Sequence, residues 1–136
     1  MTLTDLPRIL PLLQEGISLN KENLKNIQAK ALTWGSETDL DGIEPDPDLI
    51  LLSDCIYYEA SIEPLLKTLL SLVKRNPKVQ ILLSYETRDY LESKKKIAQE
   101  FFRTVGQHFK IFPFASEACH QDYASDDIRV IKLLPK

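Results

Sequence analysis

Four places in this 136-residue chain carry side chains able to do chemistry after a short apolar stretch. They are Asp5, Trp34-Gly35, Ser53-Asp54 and Ser84-Tyr85-Glu86. A carboxylate accepts hydrogen bonds from ribose hydroxyls, and an indole offers a flat apolar face to a base. The stretches before them read as strands. Open α/β sheets bind ligands beyond the carboxyl ends of their strands, so the four places would gather on one edge. That set suits a nucleoside-type ligand. A generic sheet also ends its strands on polar residues, and the pattern alone leaves both readings open.

Other chemistries find less support. Cys55 and Cys119 make neither a disulfide framework nor a zinc ligand set. Nothing near Cys55 marks it as a nucleophile, so it reads as a buried bystander. His108 and His120 have no partner at metal-ligand spacing and read as surface residues. The chain has 17 Lys and Arg against 20 Asp and Glu, a net charge of −3. With a pI near 5.4 it has no overall electrostatic reason to bind nucleic acid or an anionic membrane. Its longest apolar runs, such as Leu49–Leu52 and Ile81–Leu83, fall far short of the roughly 20 residues of a membrane span. No signal peptide is legible at the start. These features lead to the expectation of a reduced, cytoplasmic or nuclear protein. Apolar residues at 43% and charged residues at 27% are the balance of a globular domain, and the length suits one of them.

The elements that must hold those side chains follow from the apolar period. Thr2–Thr4 is extended and ends at Asp5. Leu6, Ile9, Leu10, Leu13 and Ile17 recur at helical spacing, with a kink or a late start expected at Pro11. Ile27, Ala29 and Ala31 alternate toward Trp34-Gly35 as a strand. Ser36–Pro47, rich in Asp, Glu, Gly and Pro, reads as a loop. The unbroken run Asp48–Ser53 fits a strand covered on both faces. Ile62, Leu65, Leu66, Leu69, Leu70 and Val73 form one helical stripe, with Ser61 as N-cap, Pro64 in the first turn, and Lys74-Arg75 at the end. Val79–Ser84 is a second buried-type strand. Ile97, Ala98, Phe101, Phe102 and Val105 mark another helix closed by Gly106. The run Lys94-Lys95-Lys96 before it reads as a solvated face. Phe109–Phe114 and Ile128–Leu134 are extended and able to pair antiparallel. Strands alternating with amphipathic helices indicate an α/β fold with a mainly parallel sheet.

On these residues the chain resembles a known family. TLTDL, QAKALTWG, LLSDCIYYEASIEPLLKTL, SYETR and SDDIRVIKL follow in the order found in methyltransferase family 16, the small seven-strand protein-lysine methyltransferases. The likeness is nearest to members that modify a AAA-type ATPase. It implies a class I, Rossmann-like methyltransferase fold with helices on both faces of the sheet, and S-adenosylmethionine as cofactor. Position by position, Asp5 is similar to the acid that binds the cofactor ribose, with helix capping as its structural alternative. Trp34 is similar to the residue lining the adenine site, with core packing as the alternative. Ser53 stands where the family has a small residue beside the cofactor. Asp54 and Tyr57 match its D-x-x-Y element, next to the methyl group and the incoming lysine, and carry the catalytic assignment. Tyr85, Glu86 and Arg88 match its Y-E-x-R element on the substrate side, with a local Glu86–Arg88 ion pair as the alternative.

The resemblance begins at the family's second strand. The four glycines, Gly16, Gly35, Gly42 and Gly106, include no G-x-G or G-x-x-G pair. The family's first strand and its Gly-rich cofactor loop are therefore without a counterpart, and a hole is expected where that central strand would pair. The expected organisation is a single methyltransferase domain over residues 1–136, truncated at its N-terminus. The implied function is methyl transfer to a lysine of a protein such as a AAA-type ATPase or chaperone. The alternative is a non-catalytic, methyltransferase-like fragment or isoform that keeps only protein binding.

Overall fold

The computed structural model describes residues 1–23, 25–88, 90–114, 120, 122 and 125–136. Strand β1 (Thr2–Asp5) leads through a 3-10 turn at Pro7–Ile9 into helix α1 (Leu10–Leu19). Pro11 occupies the second position of α1, where its missing N–H has no partner to lose. The late start is thus the outcome at this proline. Strand β2 (Gln28–Ala31) pairs parallel with β1.

A short helix α2 (Glu37–Asp41) interrupts the segment that reads as a loop. Ser36 Oγ accepts the Asp39 N–H at 3.2 Å, and the Asp39 carboxylate accepts the Thr33 N–H at 2.8 Å. That second bond is the largest cause holding the Asp39 carboxyl below its ordinary range. Ser36 and Asp39 are the N-cap and N3 residues of a helix start, a signal that the surrounding Gly and Pro obscure.

Strand β3 (Leu49–Ser53) is followed by helix α3 (Ile62–Arg75), strand β4 (Gln80–Glu86), helix α4 (Glu92–Val105), strand β5 (Phe109–Pro113) and strand β6 (Ile128–Pro135). Ser61 stands at the N-cap of α3, but its side chain makes no capping bond. A 3-10 turn over Glu59–Ser61 already gives Ser61 helical backbone angles, unlike the extended backbone of a capping serine. The strands after β2 form one sheet in the order β3-β4-β6-β5. β3 and β4 run parallel, and β6 is antiparallel to both β4 and β5, as the two last extended segments suggest.

Helices α3 and α4 cover one face of this sheet. Leu65, Leu69, Ile81, Leu83, Phe101, Val105, Phe109 and Leu133 meet there, each at most 1% exposed. Full burial of such side chains contributes about 1.5–3 kcal/mol each. The opposite face is different. Leu49 and Leu51 are 50% and 65% exposed, and Phe112 of the same face is exposed too. The run Asp48–Ser53 is therefore covered on one face, not two. In this four-stranded sheet, helices on both faces are likewise not found among the described residues.

β1 and β2 stand apart as a two-stranded sheet. β1 pairs only with β2, and β3 only with β4, so each has one open edge among the described residues. This is the place of the expected hole. The β1–β2 pair is tied to the rest through residues 32–46. Leu32 and Leu40 pack on Leu72 of α3, and Gly35 N donates to the buried Thr68 hydroxyl at 2.8 Å. Gly35 has φ +84°, a conformation in which a side chain would be strained, and a Cβ there would sit at packing distance from Pro64.

Arg75 closes the opposite side of that bridge. Its guanidinium donates to the Leu40 carbonyl at 2.8 Å, the Ile43 carbonyl at 2.7 Å and the Asp46 carboxylate at 2.5 Å. Arg75→Ala is expected to lower stability by about 2–3 kcal/mol, chiefly through the two carbonyls that lose a charged donor. A urea melt checks this; a midpoint unchanged from wild type would show that water replaces the guanidinium at no cost.

Candidate functional site

The carboxyl ends of β3 and β4 meet side by side. Ser53 is in register with Ser84, and Asp54 N extends the ladder by donating to the Ser84 carbonyl at 2.9 Å. Asp54 then turns the chain with φ +51°, in the left-handed region that non-glycine residues rarely occupy. Arg88, just past β4, does the same with φ +44°. The two strained residues contact each other: Arg88 Nη2 lies 2.9 Å from Asp54 Oδ2. Arg88 Nε lies 2.9 Å from Glu86 Oε2, and Tyr90 donates to the other Glu86 oxygen at 3.5 Å. The Glu86 hydrogen bond first, and the Asp54 charge second, hold the Arg88 guanidinium above its ordinary range.

The loop after Asp54 holds two tyrosines, one half-buried and one exposed. The Tyr57 and Tyr58 rings meet edge to face, with centroids 4.6 Å apart. Lys94, in the first turn of α4, donates to the Tyr57 carbonyl at 2.7 Å and lies 5.3 Å from the centre of the Tyr58 ring. Lys95 and Lys96 are exposed as a solvated face requires, but Lys94 is withdrawn from it. Sequence reasoning missed Lys94 and Tyr90: nothing in a lysine triplet marks a partner 37 residues away, and nothing in a lone tyrosine shows that it meets the carboxylate four residues before it.

Cys55 is half-buried beside this cluster and donates to the Ser53 carbonyl at 3.5 Å. Burial above all, with the Asp54 and Asp5 charges adding to it, pushes its thiol up, so it is a poor nucleophile and matches the bystander reading. β1 and β3 lie in separate sheets and do not pair. Asp5 is exposed, and its Oδ1 accepts the N–H of the next residue, Leu6, at 2.7 Å. It makes no cap on the turn that follows. Trp34 is partly buried and packs against both core clusters, so the core role and an open face coexist in one side chain. Ser53 is exposed at the end of β3.

Asp54, Glu86 and Arg88 thus form one cluster, with Tyr57 on the loop from Asp54. Tyr85 departs from it. Alternation along β4 turns Tyr85 to the helix-covered face, where it packs on Phe102 with centroids 5.2 Å apart. It lines a groove with Thr87, Lys95, Gln99 and Arg129 instead. No group of His, Cys, Asp and Glu able to hold a metal occurs among the described residues, and His108 and His120 are exposed. Cys119 lies outside the described residues. No described helix is long and apolar enough to cross a membrane.

Comparison with known proteins places this geometry in context. The sequence model of a family described as lysine methyltransferase matches residues 1–108. The protein-lysine N-methyltransferase EFM6 of Saccharomyces cerevisiae is 28% identical over 141 aligned residues, which take in 98% of this chain and 54% of that protein. The histone-arginine methyltransferase METTL23 of Homo sapiens is 35% identical over 86 residues, 62% of this chain and 44% of that protein. EEF1A lysine methyltransferase 3 of Xenopus tropicalis is 34% identical over 65% of this chain and 38% of that protein. This chain spans about half the length, or less, of these curated relatives. Among solved structures, the fibrillarin/Nop5p complex aligns with a TM-score of 0.63 at 15% identity, covering 99% of this chain and 60% of that one. The precorrin-6y C5,15-methyltransferase of Geobacter metallireducens aligns at 0.55 and 12% identity, covering 99% of this chain and 66% of that one. The architecture is that of the class I, Rossmann-like methyltransferases.

Proposed function

The chain belongs to the lysine methyltransferase family whose sequence model spans its residues 1–108, and from that membership we propose that it works as a S-adenosylmethionine-dependent protein-lysine N-methyltransferase. The observation that carries this reading is the D-x-x-Y element, Asp54 to Tyr57, set at the end of a parallel strand beside a second strand end bearing Glu86 and Arg88. The reading takes residues 1–136 as a single methyltransferase domain in a cytoplasmic setting.

The adenosine part of the cofactor fits the residues present. Asp5 is exposed at the end of β1 and would hold the ribose hydroxyls. Trp34 would line the adenine, and Ser53 leaves room beside it. The methionyl part has no glycine-rich cradle in this chain. When bound, the cofactor supplies an electrophilic methyl group on a sulfonium. The acceptor lysine must lose a proton first, which costs roughly 4–5 kcal/mol at pH 7 for a free amine of pKa about 10.4. A site that excludes water disfavours the ammonium form. Tyr57 would orient the amine, Asp54 would hold that wall, and Glu86 with Arg88 would support its substrate side, while Tyr85, turned to the helix-covered face, stays outside it. The acceptor is a protein, with a AAA-type ATPase or chaperone as first candidate, and elongation factor 1A as a second suggested by one relative's name.

A second reading is a non-catalytic, methyltransferase-like fragment that keeps protein binding. The lack of any G-x-G pair among the four glycines favours it. Calorimetric titration with S-adenosylmethionine separates the two. Micromolar binding, followed by transfer of a labelled methyl group to a bacterially expressed AAA-type ATPase or elongation factor 1A, supports the enzyme. No binding and no transfer defeat it. Where binding occurs, Asp5→Asn is expected to weaken it by about 1.5–3 kcal/mol, the size of a charge-assisted hydrogen bond. A variant that loses stability but binds equally well would make Asp5 a purely structural acid.

A further inference from the structure

Taking Asp54 as part of the acceptor site, as proposed above, we propose that Arg88 is the positioning residue that sets the backbone and the carboxylate of Asp54. One guanidinium joins two carboxylates from two strand ends. Nη2 meets Asp54 Oδ2 and Nε meets Glu86 Oε2, both at 2.9 Å. Only a planar fork presents two donors so spaced; a lysine offers a single point charge. Without the cation, two carboxylates on adjacent strand ends would repel and the loops would separate. Both Asp54 and Arg88 have left-handed backbones, a strained state that persists only when surrounding contacts hold it. The Asp54–Arg88 ion pair links the two strained turns directly. Arg88 has 25% of its side chain exposed and uses Nη2 and Nε on the two carboxylates, whereas Asp54 keeps 51% exposed. Arg88 therefore acts through Asp54, and Asp54 is the group left open to an acceptor.

Amide exchange on the full chain without cofactor tests this, with wild type compared to Arg88→Gln and Arg88→Lys. In Arg88→Gln, the Asp54 N–H is expected to exchange at least about tenfold faster, while Leu69 and Leu72 of α3 keep their rates, as for a local opening. Arg88→Lys should behave like Arg88→Gln, since it keeps the charge and loses the fork. Unchanged exchange at Asp54 overturns the proposal, as does an equal acceleration at Asp54 and α3, which would mean general support of the fold. Wild-type exchange in Arg88→Lys also overturns it. In the methyl-transfer assay, Arg88→Gln should lower kcat with cofactor affinity unchanged, and adding it to Asp54→Ala should cause no further loss. A further loss would overturn the proposal by showing Arg88 acting on the acceptor itself. Absence of transfer by the wild type counts against the methyl-transfer reading alone, because the exchange result still decides the role of Arg88.

Discussion

Replacing Asp54 is expected to lower lysine methyl transfer by about 100-fold or more, the scale of a misplaced reacting group. The residue sits at the end of β3, where the ladder with β4 stops and the chain turns through φ +51°. Two variants separate its chemistry from its backbone. Asp54→Ala removes the carboxylate and also places alanine in a left-handed conformation, which costs roughly 1–2 kcal/mol. Asp54→Asn keeps a side chain that tolerates this backbone and removes only the charge and its pairing with Arg88. If both variants lose transfer while Asp54→Asn melts near wild type, the carboxylate itself is required. Wild-type turnover in Asp54→Asn would remove Asp54 from the site.

The isolated chain is expected to self-associate, and Leu51→Lys to shift it strongly toward the monomer. β1 and β3 each have an open edge among the described residues, and β3 also exposes Leu49 and Leu51 on one face. An open, flat, apolar strand is a template for pairing with another chain, and a lysine on such a strand is the usual means of blocking it. The substitution costs little internally because Leu51 is 65% exposed already. Sedimentation velocity over a range of concentrations measures the effect. A monodisperse wild-type monomer with strongly protected amides across Asp48–Ser53 would show that the sheet closes by itself, and would refute the expectation.

Much of the fold is legible locally. The stripe from Ile62 to Val73 and the stripe from Ile97 to Val105 became α3 and α4, because a period of 3.6 places those side chains on one face. The short apolar runs became strands, and the order of motifs carried the family. The absence of any G-x-G pair went with the expectation of a hole in the sheet, and β1 and β3 each have one open edge among the described residues. What covers a strand is not a local property, however. Leu49 and Leu51 look as buried as Leu83 when read along the chain, yet only Leu83 faces helices.

The candidate site divides in the same way. Sequence by itself placed Ser53, Asp54 and Glu86 at two strand ends that the parallel pairing of β3 and β4 sets side by side, and Asp5 at the end of β1 in the separate two-stranded sheet. It also placed Tyr57 and Arg88 in recognisable motifs. Tertiary structure decided which side chains meet. Tyr85 turns away from Glu86 because neighbours on a strand point to opposite faces. Arg88 reaches Asp54 across 34 residues, and Lys94 reaches Tyr57 across 37. Such contacts depend on the register of β3 against β4 and on the path of the turn into α4, and both are set by packing between distant segments.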